Sequence, residues 1–148
     1  MKQLHILTVL SFGSLCVSLE DDPVTLKTSD SFVSVVGYEG SYNMNMSMQI
    51  KTWQEEGVLV FHKFSSTGSL KIFLHEARLT SEIVSSEEGS TLTTLEHYDR
   101  VVNDGEWHSI QFYLARTLAG LSVDSCTVTG SLPGQIRTGG QQLQQQLG

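Results

Sequence analysis

Val102-Asn103-Asp104-Gly105-Glu106-Trp107-His108-Ser109-Ile110-Gln111-Phe112-Tyr113-Leu114 joins the strongest turn signal in the chain to one of its clearest strands. Asn and Gly tolerate positive φ at little cost, so Asn103-Asp104-Gly105 predicts a tight reversal. Behind it, His108, Ile110, Phe112 and Leu114 fall on one face, with Trp107, Ser109, Gln111 and Tyr113 on the other. That period of two is the mark of a strand with one buried and one wet side.

The same period recurs upstream, where Met44, Met46, Met48 and Ile50 alternate with Asn43, Asn45, Ser47 and Gln49. The alternation points the methionines into a core rather than onto an adaptable binding surface. Val58-Leu59-Val60-Phe61 is a continuous apolar run, expected to be a strand buried on both sides or lying in the middle of a sheet. Ser65-Ser66-Thr67-Gly68 predicts a hairpin into Leu70-Lys71-Ile72-Phe73-Leu74, and the segment Arg78 to Val84 precedes a polar loop from Ser85 to Ser90. After Gly120, the residues Leu121, Val123 and Ser125 continue the alternation. No window sustains helical periodicity, and a parallel sheet would need crossover helices. The expectation is therefore an all-β antiparallel sandwich.

The 148 residues allow one domain, and a formal charge of -7 argues against nucleic acid, whose affinity comes from Lys and Arg displacing counterions. Residues 1–18 have the shape of a secretory signal peptide: Lys2, an apolar core from Ile6 to Val17, and the small residues Cys16 and Ser18 before the cut. The expectation there is a signal helix, too short to span a bilayer. Its removal would leave Cys126 as the single cysteine, a free thiol or half of a bond to another chain. Residues 141–148 are glutamine-rich and are expected to be a disordered tail.

Val102-Asn103-Asp104-Gly105-Glu106-Trp107-His108-Ser109-Ile110 resembles the "NDGxWHxV" signature of laminin G-like domains. Met46 to Phe61 is similar to the family's "FRTW…GLLLF" pair of strands, and Leu121-Ser122-Val123-Asp124 to its "VxVD" strand. With Gly130-Ser131-Leu132-Pro133-Gly134-Gln135-Ile136 and Gly139-Gly140, the pattern looks most like the contactin-associated type of the neurexin superfamily. The resemblance covers about residues 24–140 and implies a laminin G-like jelly-roll sandwich of antiparallel strands. It also implies incompleteness at the C-terminus, because glutamines stand where the family has its closing strands. Missing strands would leave unpaired edges.

What the resemblance implies for sites is a calcium rim. Glu87 or Glu88 would supply the carboxylate and the Ser109 carbonyl a backbone oxygen, with further ligands from the absent part. From the residues themselves, Asn45-Met46-Ser47 is an N-glycosylation sequon, with Asn45 on the wet face of its strand. His108 is expected to pack in the core with its ring bonded to backbone, and Trp53 to pack at a core or edge rather than serve as a sugar platform. No GxSxG, HExxH, GxGxxG or P-loop pattern is present, and His62, His75, His97 and His108 are too scattered for a metal motif. The expected function is a secreted, non-enzymatic adhesion module that binds a cell-surface or matrix protein, of which the immunoglobulin-type contactins are the resemblance's usual partners. The alternatives are a soluble carrier of a small apolar ligand, as in the laminin G domain of sex hormone-binding globulin, and a shortened product without activity.

Overall fold

A computed structural model of the chain describes residues 4–12, 15–18, 24–26, 44–64, 68–85 and 91–133. Its elements are β1 (Leu4–Phe12), β2 (Leu15–Ser18), β3 (Val24–Leu26), β4 (Met44–Thr52), β5 (Gly57–Phe64), β6 (Gly68–His75), β7 (Arg78–Ser85), β8 (Thr91–Val101), β9 (His108–Leu114), β10 (Leu118–Val123) and β11 (Cys126–Ser131). Sheet A has the order β11-β10-β9-β4-β1-β2, with β3 also paired to β1, and sheet B the order β5-β6-β7-β8. All pairings are antiparallel. The expected all-β sandwich is what the described residues form.

The core lies where the inner faces meet. Met44, Met46, Met48 and Ile50 of β4 and Ile110, Phe112 and Leu114 of β9 close it from one side, against Leu70, Ile72, Leu74, Leu79 and Ile83 of sheet B. Each such side chain contributes roughly 1.5–3 kcal/mol by leaving water. The three methionines are therefore structural. Beneath Leu121, His97 of β8 points into the core, and its Nε2–H donates to the Leu121 carbonyl at 2.9 Å. That bond ties β8 across the sandwich to β10 and meets the demand that a buried polar group find a partner.

Two expectations need correction. The run Val58 to Phe61 belongs to β5, which is an edge strand of sheet B. Its register slips between Val58 and Val60, so one residue of the run is extra and the inward pattern jumps. Leu59 and Val60 pack on the core while Val58 and Phe61 face solvent at 52% and 66% exposure. Near the N-terminus, the described residues form β1 and β2 where a signal helix is expected, with Leu4–Val9 pairing Thr52–Ser47. An extended segment fits there because the free edge of β4 offers unpaired backbone groups to it.

The chain crosses between sheets through Trp53–Glu56 after β4 and through Val102–Trp107 after β8. The Gly105 N–H donates to the Thr52 carbonyl at 3.0 Å and so bonds the second crossover to the end of β4, where the first begins. Between them lies the two-residue turn Glu76-Ala77 of the β6–β7 hairpin, with both residues at positive φ, 49° and 64°. Side-chain-bearing residues pay about 1–2 kcal/mol each for that conformation. Three bonds hold them in it: Ala77 N–H to Glu55 carbonyl at 2.8 Å, Val102 N–H to Ala77 carbonyl at 3.0 Å, and Glu76 N–H to the Glu56 carboxylate at 2.9 Å.

Candidate recognition site

At the rim below the second crossover, His108 opens β9 with its imidazole largely covered. Nε2 lies 3.0 Å from Asp104 Oδ1 and Nδ1 lies 3.1 Å from Asp124 Oδ2. A ring that donates from both nitrogens is an imidazolium. Burial pushes its pKa down, but the bonds to Asp124 and Asp104 and their charges outweigh it, and the net shift is up. Asp104 is held low by the Glu106 N–H and by His108. Asp124 is pushed up by burial, yet His108 and the Ser109 N–H bring it below the ordinary carboxylate range.

Asp124 is bound on every side. It stands first in the β10–β11 turn at φ 54°, its N–H donates to the Ser109 carbonyl at 2.7 Å, and its Oδ1 accepts from Ser109 N–H at 3.0 Å. The cluster thus clamps the Asn103–Gly105 turn to the far end of the neighbouring hairpin. His108 is accordingly not the backbone-bonded core histidine expected of it; His97 fills that role. Gly105, at φ 78°, is required twice: for its backbone and because a Cβ there would overlap the Trp53 ring. Trp53 packs over it at the edge, 56% exposed.

A second feature stands on the outer face of sheet B. Val58 pairs with Phe73 and Phe61 with Lys71, which puts all four on the side turned away from sheet A. Lys71 Nζ sits 4.6 Å from the Phe73 ring centroid, a cation–π contact that keeps a charge within an apolar patch. Tyr98 and Val101 of β8 add exposed surface at 73% and 52%. Exposed apolar side chains grouped this way, with polar residues around them, mark contact surfaces.

The residues singled out from sequence are not brought into one site. Glu87 and Glu88 lie outside the described residues, and the Ser109 carbonyl already accepts from Asp124. Among the described residues no group of three or more His, Cys, Asp or Glu side chains is arranged to hold a metal ion. Asn45 is exposed on β4, as its alternation requires. Cys126 is half-buried, makes no disulfide among the described residues, and its Sγ accepts from Arg100 Nη2 at 3.3 Å. Sequence reasoning missed Asp124 as the second arm of the His108 cluster, together with the exposed Val58 and Phe61 and the half-buried Lys71 and Phe73 beside them. A signal for the first was its place one residue after Val123, the last inward position of its strand.

The laminin G domain family matches residues 50–147. Neurexin-4 of Drosophila melanogaster is 34% identical over 126 residues, which cover 85% of this chain and 10% of that protein. Human contactin-associated protein 1 is 27% identical over 128 residues, covering 84% of this chain and 9% of the relative. The chain therefore spans about a tenth of the length of these relatives. Domains LG4-5 of the mouse laminin alpha1 chain share the fold, with a TM-score of 0.56 at 15% identity over 91% of this chain and 31% of that one.

Proposed function

Since the chain belongs to the laminin G domain family, we propose that it is a non-enzymatic recognition module, working outside the cell, which grips a cell-surface protein through the outer face of β5 and β6. The observation that carries this reading is the group in which the exposed Val58 and Phe61 stand beside the half-buried Phe73 and Lys71. Binding energy concentrates in a few aromatic and apolar anchors ringed by polar groups, and this face has that make-up. An immunoglobulin-type contactin is the proposed partner, because a relative over most of this chain carries the name contactin-associated protein 1.

The chemistry of the rim cluster favours recognition over catalysis. Both His108 nitrogens are engaged by carboxylates, so neither is free to take a proton from a nucleophile. Export is supported by the signal-like residues 1–18. No helix among the described residues is long and apolar enough to cross a membrane.

Titration of the immobilised chain with a contactin ectodomain tests the proposal. Saturable binding is expected, weakened at least about tenfold by Phe61→Ser, the size of loss that marks an anchor residue. Gln111→Ala, on the opposite outer face, should bind as the parent does. A parent chain that does not bind would remove contactin as the partner, and unaltered binding by Phe61→Ser would remove this face.

A further inference from the structure

The outer face of sheet A differs in kind from that of sheet B. Across β4, β9, β10 and β11 the register gives one row of Asn45, Tyr113, Gly120 and Thr129 and a second of Ser47, Gln111, Ser122 and Thr127. Neither row holds a charged residue or an aliphatic side chain. Ser122 and Thr127 bond to each other through their hydroxyls at 2.8 Å, leaving a flat surface of amides and hydroxyls. Such a face hydrates well, and Tyr113 is the one aromatic side chain in these two rows.

Asn45 and Ser47, the two chemical ends of the sequon, both stand on this face, because Met46 between them is buried at 4% exposure. The pairing of β1 with β4 ends at Ser47 and does not include Asn45. Directly opposite Asn45 in the register is Tyr113. Its ring lies over Gly120 of β10, on the side of β9 away from β4, where any Cβ would overlap it, and so leaves Asn45 uncovered by it.

We infer that Asn45 carries an N-linked oligosaccharide, which covers the neutral outer face of sheet A around it. The transfer joins the Asn45 amide nitrogen to the anomeric carbon of a polyprenyl-diphosphate-linked oligosaccharide. The bond from that carbon to the diphosphate oxygen breaks, the lipid diphosphate leaves with the electron pair, and the amide gives up one proton. The inference rests on the proposed passage through the secretory pathway. It does not depend on which partner is bound.

The test supplies entry independently. The full chain is placed behind a cleavable leader from another secreted protein and made in secretory cells, and also translated in the presence of microsomes, where occupancy does not require a folded product. Release by a glycan-cleaving amidase in heavy-oxygen water should label position 45 as aspartate, and Ser47→Ala should abolish both the label and the mass step. Unmodified Asn45 in chain recovered from the medium or from inside microsomes would overturn the inference. Because the leader is foreign, failure of residues 1–18 to direct export would leave this result readable.

Discussion

β4 and β5 follow one another in the chain, are of similar length and are both rich in apolar residues, yet they end in opposite situations. β4 lies within sheet A between β9 and β1, with every second side chain buried from Met44 to Thr52. β5 lies at the edge of sheet B, its alternation broken by the slip between Val58 and Val60, with Val58 and Phe61 in solvent. The methionine strand is interspersed with asparagine, serine and glutamine; the other is the more continuously hydrophobic. Regular alternation under a two-sheet core, rather than density of apolar residues, is what marks burial here. What a continuous run adds on an edge is surface for contact.

The largest way to break the comparison is at Ile50, which is fully buried. Ile50→Ala should cost about 2–5 kcal/mol, the range for removing a branched side chain from a packed core, measured as a lower midpoint in urea. A cost below that range would mean β4 is not the inner strand described.

Next comes Gly105, which supports Trp53 at the start of the passage from β4 to β5. Gly105→Ala places a Cβ against the Trp53 ring at a φ of 78° and should destabilise by roughly 1–3 kcal/mol, with a change in tryptophan fluorescence as Trp53 is displaced. Unaltered fluorescence would show that Trp53 does not rest on Gly105.

A smaller effect lies in the pH profile, where the two regions pull in opposite directions. His108 has a raised pKa, so its stabilisation is fully present below about 6.5, the unfolded value, and is lost as pH climbs through the folded one. The lowered Asp104 and Asp124 contribute above about 3.9 and lose that contribution as pH falls through their folded values. His62 of β5 is lowered by burial, so its term rises with pH through about 6.5. The melting temperature of His108→Gln should therefore depend differently on pH from the parent between mildly acid and neutral solution, losing the acid-side advantage. Parallel curves would show that His108 is not held as an imidazolium.

The smallest expected change is at the edge itself. Val58→Thr and Phe61→Ser should move the unfolding free energy by no more than about 0.5 kcal/mol, as exposed substitutions do. A larger loss would mean that β5 is buried after all, as its apolar run suggested.

Much of the sandwich is legible without coordinates, because β4 and β9 each show their inward residues at strict period two. β8 is not: Thr91 to Val101 mixes threonines with charged residues, and its buried anchors are Leu95 and His97, with Leu92 partly buried against the core. Gly130 of β11 makes room for Leu95 by having no side chain, which no local pattern announces. The Glu76-Ala77 reversal is equally silent, since its two-residue loop uses neither glycine nor asparagine. Strand β10 stops at Val123 rather than running on to Ser125, because Asp124 turns the chain. For the rim cluster, the Asp104–His108 spacing is visible, but Asp124 arrives from 16 residues away through the pairing of β9 with β10. That is tertiary information, and periodicity cannot supply it.

Both passages between sheets meet at Glu76 and Ala77, where the hairpin tip of sheet B is stapled to each of them. Neither layer can peel away without breaking this junction, so partial opening forfeits bonds belonging to three segments at once. The two layers are thereby expected to lose structure together in a single cooperative event, with amide protons on β6 and β9 exchanging at a shared, global rate.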